Sequence, residues 1–185
     1  MAVAAAQSGH FTAAQALEAG YSYAAQRYHS VNANWLRVGR GLYRLPDWPS
    51  GGHEDLVRWS LWSGGQAVAS HETALSVHEL GDVNPERVHL TVPPRFRARA
   101  EGVILHRAVL EPSEKQAREG FSVTTPLRSL VDVAAGSLDL DQLATAVSEA
   151  LDRGLVTARQ LREQADAVGA QAAFRIERSL ALVRD

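Results

Sequence analysis

The sequence contains no cysteine. That single absence excludes disulfides, thiolate metal sites and cysteine nucleophiles, and it fits a reducing compartment. Lysine is almost missing too: of the 19 basic residues only Lys115 is a lysine. The glycine-rich loop ending in Lys-Ser or Lys-Thr that cradles nucleotide phosphates is absent, as are a dinucleotide fingerprint and a Gly-x-Ser-x-Gly elbow. No apolar run approaches the length a bilayer requires. The apolar start, Met1–Gln7, has no basic segment and is too short for a signal peptide, so the expected location is the cytoplasm.

Histidine is present in seven copies, but not in a metal-binding pattern. His71-Glu72 lacks a second histidine four positions after the first, so the zinc-protease motif is not formed. His71 and His78 lie two helical turns apart, about 10 Å by helix rise. His89 and His106 could face each other across paired strands, and two imidazoles alone do not make a site. The expectation is no metal, no cofactor and no catalytic residue. Asp132 reads as a cap or an ion pair with Arg128.

Hydrophobic residues make up 45% of 185 positions, enough for a folded core. The formal charge of −2 argues against indiscriminate coating of nucleic acid, but it is unevenly spread. Residues 1–50 hold Arg27, Arg37, Arg40 and Arg44 against Glu18 and Asp47, whereas the remainder is acidic on balance. Arg95, Arg97 and Arg99 form the densest basic cluster, suited to DNA, to an acidic partner, or simply to a solvated loop.

Along the chain, Ala2–Gln7 can form a helix stopped by Ser8-Gly9. Thr12 and Gln15 form a capping box for a second helix that ends at Gly20. Ser22 caps a third, from Tyr23 to about Ala33, after a turn of helix-turn-helix length. In that third helix Ala24, Tyr28 and Val31 share one face and are expected inside. Tyr23, Gln26, His29, Ser30 and Ala33 lie on the opposite face, with Arg27 on the flank. Two short strands, Trp35–Val38 and Leu42–Leu45, flank the Gly39-Arg40-Gly41 turn and make an arginine-tipped hairpin. Helix-turn-helix followed by a basic hairpin is the pattern of a winged helix.

Pro46–Gly52 then reads as a linker. Beyond it the pattern is mixed: a helix over Glu54–Trp62, a short strand over Gln66–Ala69, and a helix from Ser70 to Leu80. Strands follow at Arg87–Val92, Val103–Leu110 and Phe121–Thr124. Four helices close the chain, with caps at Thr125-Pro126, Asp139 and Thr157–Gln160. The predicted fold is α+β, with a winged helix-turn-helix at 1–47, a linker at 48–52 and a mixed α/β domain with a helical C-terminal end at 53–185.

Gly9-His10-Phe11-Thr12, Gln15-Ala16, Gly20, Ser22 and Arg40-Gly41-Leu42-Tyr43-Arg44 resemble the N-terminal domain of AbiEi-family antitoxins. The second half agrees through Ser70–Leu75, His78, Pro85, Val88–Pro93, Leu105-His106-Arg107 and Thr124–Asp132, so the resemblance spans about residues 9–165. It implies a winged helix that represses its own operon, bound to double-stranded DNA at repeated sites in its promoter. The joined C-terminal domain would counteract a nucleotidyltransferase-like toxin, as the antitoxin of a type IV pair. Related chains carry a nuclease-like domain after these segments, and none is expected within these 185 residues. Two other readings are an orphan winged-helix regulator without a toxin and an enzyme targeted to DNA by its first module. The expected DNA-binding residues are Ser22, Tyr23, Gln26, Arg27, Ser30, Arg37, Arg40 and Arg44. Tyr23, Gln26 and Ser30 would meet base edges in the major groove, Gln26 gripping adenine. The arginines would meet phosphates, with Arg40 also able to enter the minor groove. Trp35 and Tyr43 are expected to pack the wing onto the helices.

Overall fold

The structure, a computed structural model, describes residues 2–49 and 51–183. Met1, the linker residue Ser50, and Arg184 and Asp185 of the second expected domain lie outside the described residues. The chain divides into two compact units, one of residues 1–67 and 117–122, the other of 68–116 and 123–185.

The first unit begins with a one-turn helix α1 (Ala2–Ala5), a short strand β1 (His10–Thr12), and helices α2 (Ala13–Glu18) and α3 (Tyr23–Val31). Strands β2 (Leu36–Gly39) and β3 (Leu42–Arg44) and helix α4 (Glu54–Trp62) follow. β1 is absent from the sequence reading. It pairs antiparallel with β3, Phe11 opposite Tyr43, giving a three-stranded sheet of order β1-β3-β2. A bulge between Arg37 and Gly39 bends β2 toward the turn. The element order and the hairpin fit a winged helix. Its small core is aromatic: Phe11 meets Trp35 edge-on at 4.8 Å and stacks on Tyr43 at 5.8 Å, and Tyr21 meets Trp35 at 5.0 Å. Trp35 is buried and Tyr43 half-buried, as expected. Gly9 sits at φ +78°, and a Cβ there would overlap the Trp48 ring, so only glycine fits.

Pro46–Gly52 joins the hairpin to α4 within this unit. Arg44 donates from Nη2 to Trp48 O at 2.8 Å and to Glu54 Oε1 at 2.9 Å, and the Gly51 N–H donates to the same carboxylate oxygen at 3.0 Å. The division between units therefore falls at Ala67, beyond α4, which the sequence reading places in the second domain. Composition marks the turn but cannot show that it is tied down on both sides.

The second unit contains β4 (Val68–Ala69), α5 (His71–His78), β5 (Val88–Val92) and β6 (Val103–Arg107). After a single 3-10 turn come β7 (Lys115–Arg118) and β8 (Phe121–Thr124), then α6 (Pro126–Ala135), α7 (Leu140–Asp152), α8 (Ala158–Val168) and α9 (Ala170–Leu182). The strand order is β6-β5-β4-β8-β7. Residues 117–122, which run from β7 through the turn into β8, group with the first unit. There Gly120, at φ +81°, would place a Cβ 2.9 Å from Val57 Cγ2. β5 and β6 are parallel, in register from Val88 with Val103 to Val92 with Arg107.

The caps of α6, α7 and α8 form as the sequence predicts, whereas Ser70, expected to cap α5, makes no side-chain cap hydrogen bond. Thr125 Oγ1 accepts from Arg128 N, Asp139 from Asp141 N and Gln142 N, and Thr157 and Gln160 close a reciprocal box. The core between α5 and α9 is aliphatic, built around Leu75, Leu130, Leu143, Leu161 and Ile176. Among the described residues no helix is long and apolar enough to cross a membrane.

Candidate nucleic-acid interface

The helix-turn-helix rests on local chemistry. Thr12 Oγ1 accepts from Gln15 N at 3.1 Å while Gln15 Oε1 accepts from Thr12 N at 2.8 Å, satisfying two donors that a helix start leaves unpaired. Gly20, at φ +90°, turns the chain, and Ser22 Oγ accepts from Ala25 N at 3.2 Å to start α3. Ser22 is thus occupied as a cap.

The orientation of α3 is the reverse of the sequence reading. Gln26, expected to grip adenine, is only 2% exposed, and its Nε2 donates to Ala13 O at 3.1 Å and Tyr21 O at 3.0 Å. His29 turns inward as well, stacking on Trp35 at 4.8 Å, and Ser30 is half-buried. The face expected inside is outside, with Tyr28 62% and Val31 76% exposed, while Tyr23, expected outward, is 72% exposed as read. The physical reason is that the seam of α3 is filled by an amide and an imidazole. Gln26 satisfies two backbone carbonyls that would otherwise be buried without a partner, and His29 extends the aromatic stack. A periodicity count that scores only apolar residues selects the wrong side.

The arginines divide similarly. Arg27, on α3, and Arg40, in the hairpin turn, are exposed and have no ion-pair partner among the described residues. Arg37 is exposed on β2, with Nε donating to Gly39 O at 3.3 Å. Arg44, expected at a phosphate, is instead held by Glu54, its side chain 12% exposed. Burial alone would raise the Glu54 carboxyl, but the Gly51 N–H and the Arg44 guanidinium hold it below its ordinary value. What remains as a surface is Tyr23, Arg27, Tyr28 and Val31 on α3, with Arg37 and Arg40 on the hairpin.

A second cluster lies in the other unit; the sequence reading named its His89–His106 facing and its Asp132–Arg128 pair but not the joining of His71 and Glu72 to them. The rings of His71 and His106 stack at 3.5 Å, and His106 Nε2 lies 3.2 Å from His89 Nδ1. That same nitrogen is 2.8 Å from Glu72 Oε2. His71 Nδ1 is 4.0 Å from Asp132 Oδ2, and Asp132 Oδ1 accepts from Arg128 Nε at 2.8 Å, the ion pair the sequence suggested. Arg128 also reaches Glu114 at 2.9 Å. Burial, and then the neighbouring His106, push the His71 imidazole down to about 3. Burial also lowers His106 and raises Asp132. Burial would lower Arg128 too, but Asp132 and Glu114 reverse that and hold its guanidinium above its usual value. His71 takes a left-handed φ of +53°, a strained start for α5. His78 is separate and buried, its Nε2 2.7 Å from Thr124 O. Among the described residues no group of three or more His, Asp or Glu side chains is arranged to hold a metal ion. The parallel pairing of β5 and β6 brings His89 and His106 to one face, as the sequence reading allowed.

A family model described as the AbiEi antitoxin C-terminal domain matches residues 67–182. No curated protein matches the chain. Among solved structures, the crystal structure of the RV2827C protein from Mycobacterium tuberculosis is similar, with a TM-score of 0.60 at 16% identity over 95% of this chain and 75% of that one. At that identity the likeness speaks for the fold alone.

Proposed function

The chain belongs to the AbiEi antitoxin C-terminal domain family, and from that premise we propose that it is a DNA-binding autorepressor that also serves as the antitoxin of a type IV pair. The proposed location is the cytoplasm, the proposed DNA target its own promoter, at repeated sites, and the proposed protein partner a nucleotidyltransferase-like toxin. No catalytic step is part of this proposal. The winged helix is taken as the DNA-binding module and the second unit as the antitoxin module.

One observation carries the DNA-binding half: α3 leaves Tyr23, Tyr28 and Val31 in solvent together with Arg27, and the hairpin of the same unit exposes Arg37 and Arg40. Large apolar groups are normally covered, and a helix that exposes three of them in a unit that also exposes guanidinium groups suits a surface with both methyl groups and phosphates. The major groove offers both. Thymine methyls accept apolar contact, and the flanking phosphates accept Arg27, Arg37 and Arg40.

The test is binding of the full chain to a promoter duplex and to a random duplex. Arg40→Ala is expected to weaken both alike and to flatten the salt dependence by about one phosphate contact. Tyr28→Ala is expected to narrow the difference between the two duplexes, whereas a Tyr28 that served the core would cost folding and leave preference untouched. Unchanged preference in a folded Tyr28→Ala protein would remove the reading face from α3. For the antitoxin half, co-expression with a neighbouring nucleotidyltransferase-like protein should restore growth, and no protection by the intact chain would leave only the regulator.

A further inference from the structure

The five-stranded sheet ends on β6, which has β5 on one side and, among the described residues, no strand on the other. The two hydrogen bonds at its ends fix which way its backbone groups point. Val88 N–H donates to Gly102 O at 3.2 Å, and Ala108 N–H donates to Val92 O at 3.2 Å. The N–H and C=O of one strand residue point to the same side, and successive residues alternate. Gly102, Ile104, His106 and Ala108 therefore turn these groups toward β5, while Val103, Leu105 and Arg107 turn theirs away from it. Among the described residues no backbone hydrogen bond reaches those outward groups. Such an edge is a template for another strand, and proteins commonly blunt it with charge, proline or a bulge. At the other edge of the sheet β7 carries Lys115 and Arg118. By contrast β6 reads Val-Ile-Leu-His-Arg, in unbroken register with β5, and its one guanidinium, Arg107, stands at its end. Val103, Ile104 and Leu105 are half-buried, and Val109 just beyond is 70% exposed.

We propose that β6 is a self-association edge, where a second copy of the chain adds its own β6 antiparallel, with Leu105 opposite Leu105 across a two-fold axis. Backbone parity selects this register. Antiparallel strands bond through opposed residues whose N–H and C=O both face the neighbour, and Leu105 is the middle one of the three that do. With Leu105 on the axis, Val103 of each copy stands opposite Arg107 of the other, and every one of these pairs exchanges two N–H···O bonds. A one-residue slip would set the outward groups against groups already committed to β5. Charge favours a second copy as the occupant. The two Arg107 side chains are kept roughly 13 Å apart along the strands, so no like charges stand opposite one another. Glu101, two residues before Val103, comes diagonal to Arg107 of the other copy, where opposite charges attract. The half-buried Val103 and Leu105 gain cover from the added strand. The contact is isologous and small, so one and two copies should exchange rather than form a permanent dimer. The pairing is independent of the DNA-binding reading above.

The experiment is sedimentation equilibrium of the full chain over a range of concentrations, without DNA. The average mass should rise with concentration from that of one chain toward twice that value. Amide hydrogen exchange read by NMR should slow with concentration at Val103, Leu105 and Arg107. Exchange at Ile104 and His106, whose amides belong to the β5 ladder, should not depend on concentration. Leu105→Lys places two ammonium groups opposite each other and Leu105→Glu two carboxylates, so each variant alone should stay at the mass of one chain. An equimolar mixture of the two should associate again, because lysine then stands opposite glutamate. Far-UV circular dichroism checks that both variants fold. Arg107→Pro is a second route: it removes an outward N–H from an exposed residue and none from the β5 ladder, and should abolish association where Arg107→Ala retains most of it. A wild-type chain that keeps the mass of one copy at every concentration overturns the proposal. Association that survives Leu105→Lys and Arg107→Pro overturns it in favour of another face, and so does a mixture of folded Lys and Glu variants that stays monomeric. A monomeric wild type whose protection against the toxin is lost in Leu105→Lys overturns it in favour of a strand from a protein partner.

Discussion

In the first unit, rings do the packing: Phe11, Tyr21, His29, Trp35 and Tyr43 form one connected stack, with Ala4 and Ala16 filling the edges. In the second, the core between α5 and α9 is leucine, valine, alanine and isoleucine, and His71, His89 and His106 form a separate cluster of stacked rings. An aromatic stack reaches a stable core with few residues because each ring buries a large area. It also ties the stability of the small unit to two or three side chains. The aliphatic core spreads the same task over five helices.

The chain's four tryptophans, Trp35, Trp48, Trp59 and Trp62, all lie in the first unit, so fluorescence reports that unit while far-UV circular dichroism weights the longer helices of the second. The largest expected effect separates the two probes by pH. His71 titrates at 6.5 when unfolded and at about 3 when folded, so between those values the unfolded chain binds a proton that the native one excludes. At about 1.4 kcal/mol per unit, stability is full above pH 6.5 and falls as the pH drops toward 3. His106 and the lowered Glu72 add to the loss, and the raised Asp132 offsets part of it. Urea unfolding followed by dichroism should move to lower denaturant between about pH 7 and pH 5, inside that window, and fluorescence should move less. His71→Gln should flatten the dichroism trend, and equal movement of both probes would break the comparison.

Next comes Trp35→Ala, expected to cost about 3–5 kcal/mol in the first unit. The remaining tryptophan fluorescence should report early unfolding while most of the dichroism signal persists. A single coincident transition in this variant would show one cooperative body. Gln26→Ala, by stranding the carbonyls of Ala13 and Tyr21, should cost about 1–3 kcal/mol and weaken every duplex through loss of fold. A Gln26→Ala protein of unchanged stability with altered base preference would restore the sequence reading of that residue. The smallest effect is Thr12→Ala, about 0.5–2 kcal/mol from removal of the cap, seen by fluorescence and not by the late part of the dichroism transition.

What was legible in the sequence was local. The capping pairs Thr12–Gln15 and Thr157–Gln160, the proline at the start of α6 and the strand β5 follow from neighbours along the chain and stand where expected. What was not legible depends on distant partners. β1 is three residues long and becomes a strand only because β3 lies beside it. The inward face of α3 is chosen by Trp35 and by two carbonyls, one of them thirteen residues away from Gln26. Arg44 carried the right charge for phosphate, and only the fold shows Glu54 next to it. Of the three-histidine cluster the sequence offered the facing of His89 and His106, while the stacking of His71 on His106 needed the tertiary placement of α5 against β6.

The grouping of residues 117–122 with the first unit has a consequence for inheritance. The first unit is encoded in two separate stretches, one before β4 and one inside the span of the second. A recombination event that exchanged residues 1–52 as a cassette would leave α4 behind, and one that exchanged 1–67 would still leave the turn containing Gly120, with its fit against Val57. A foreign cassette would meet a turn shaped for another protein's helix. Shuffling of modules, common where a single linker separates domains, is hindered here by the two-stretch makeup of the first unit. On the proposed function, new promoter preferences are therefore expected to arise by point substitution at positions such as Tyr23, Tyr28 and Val31. Comparing promoter-binding paralogues for covariation between position 57 and position 120 would show whether the two stretches have travelled together.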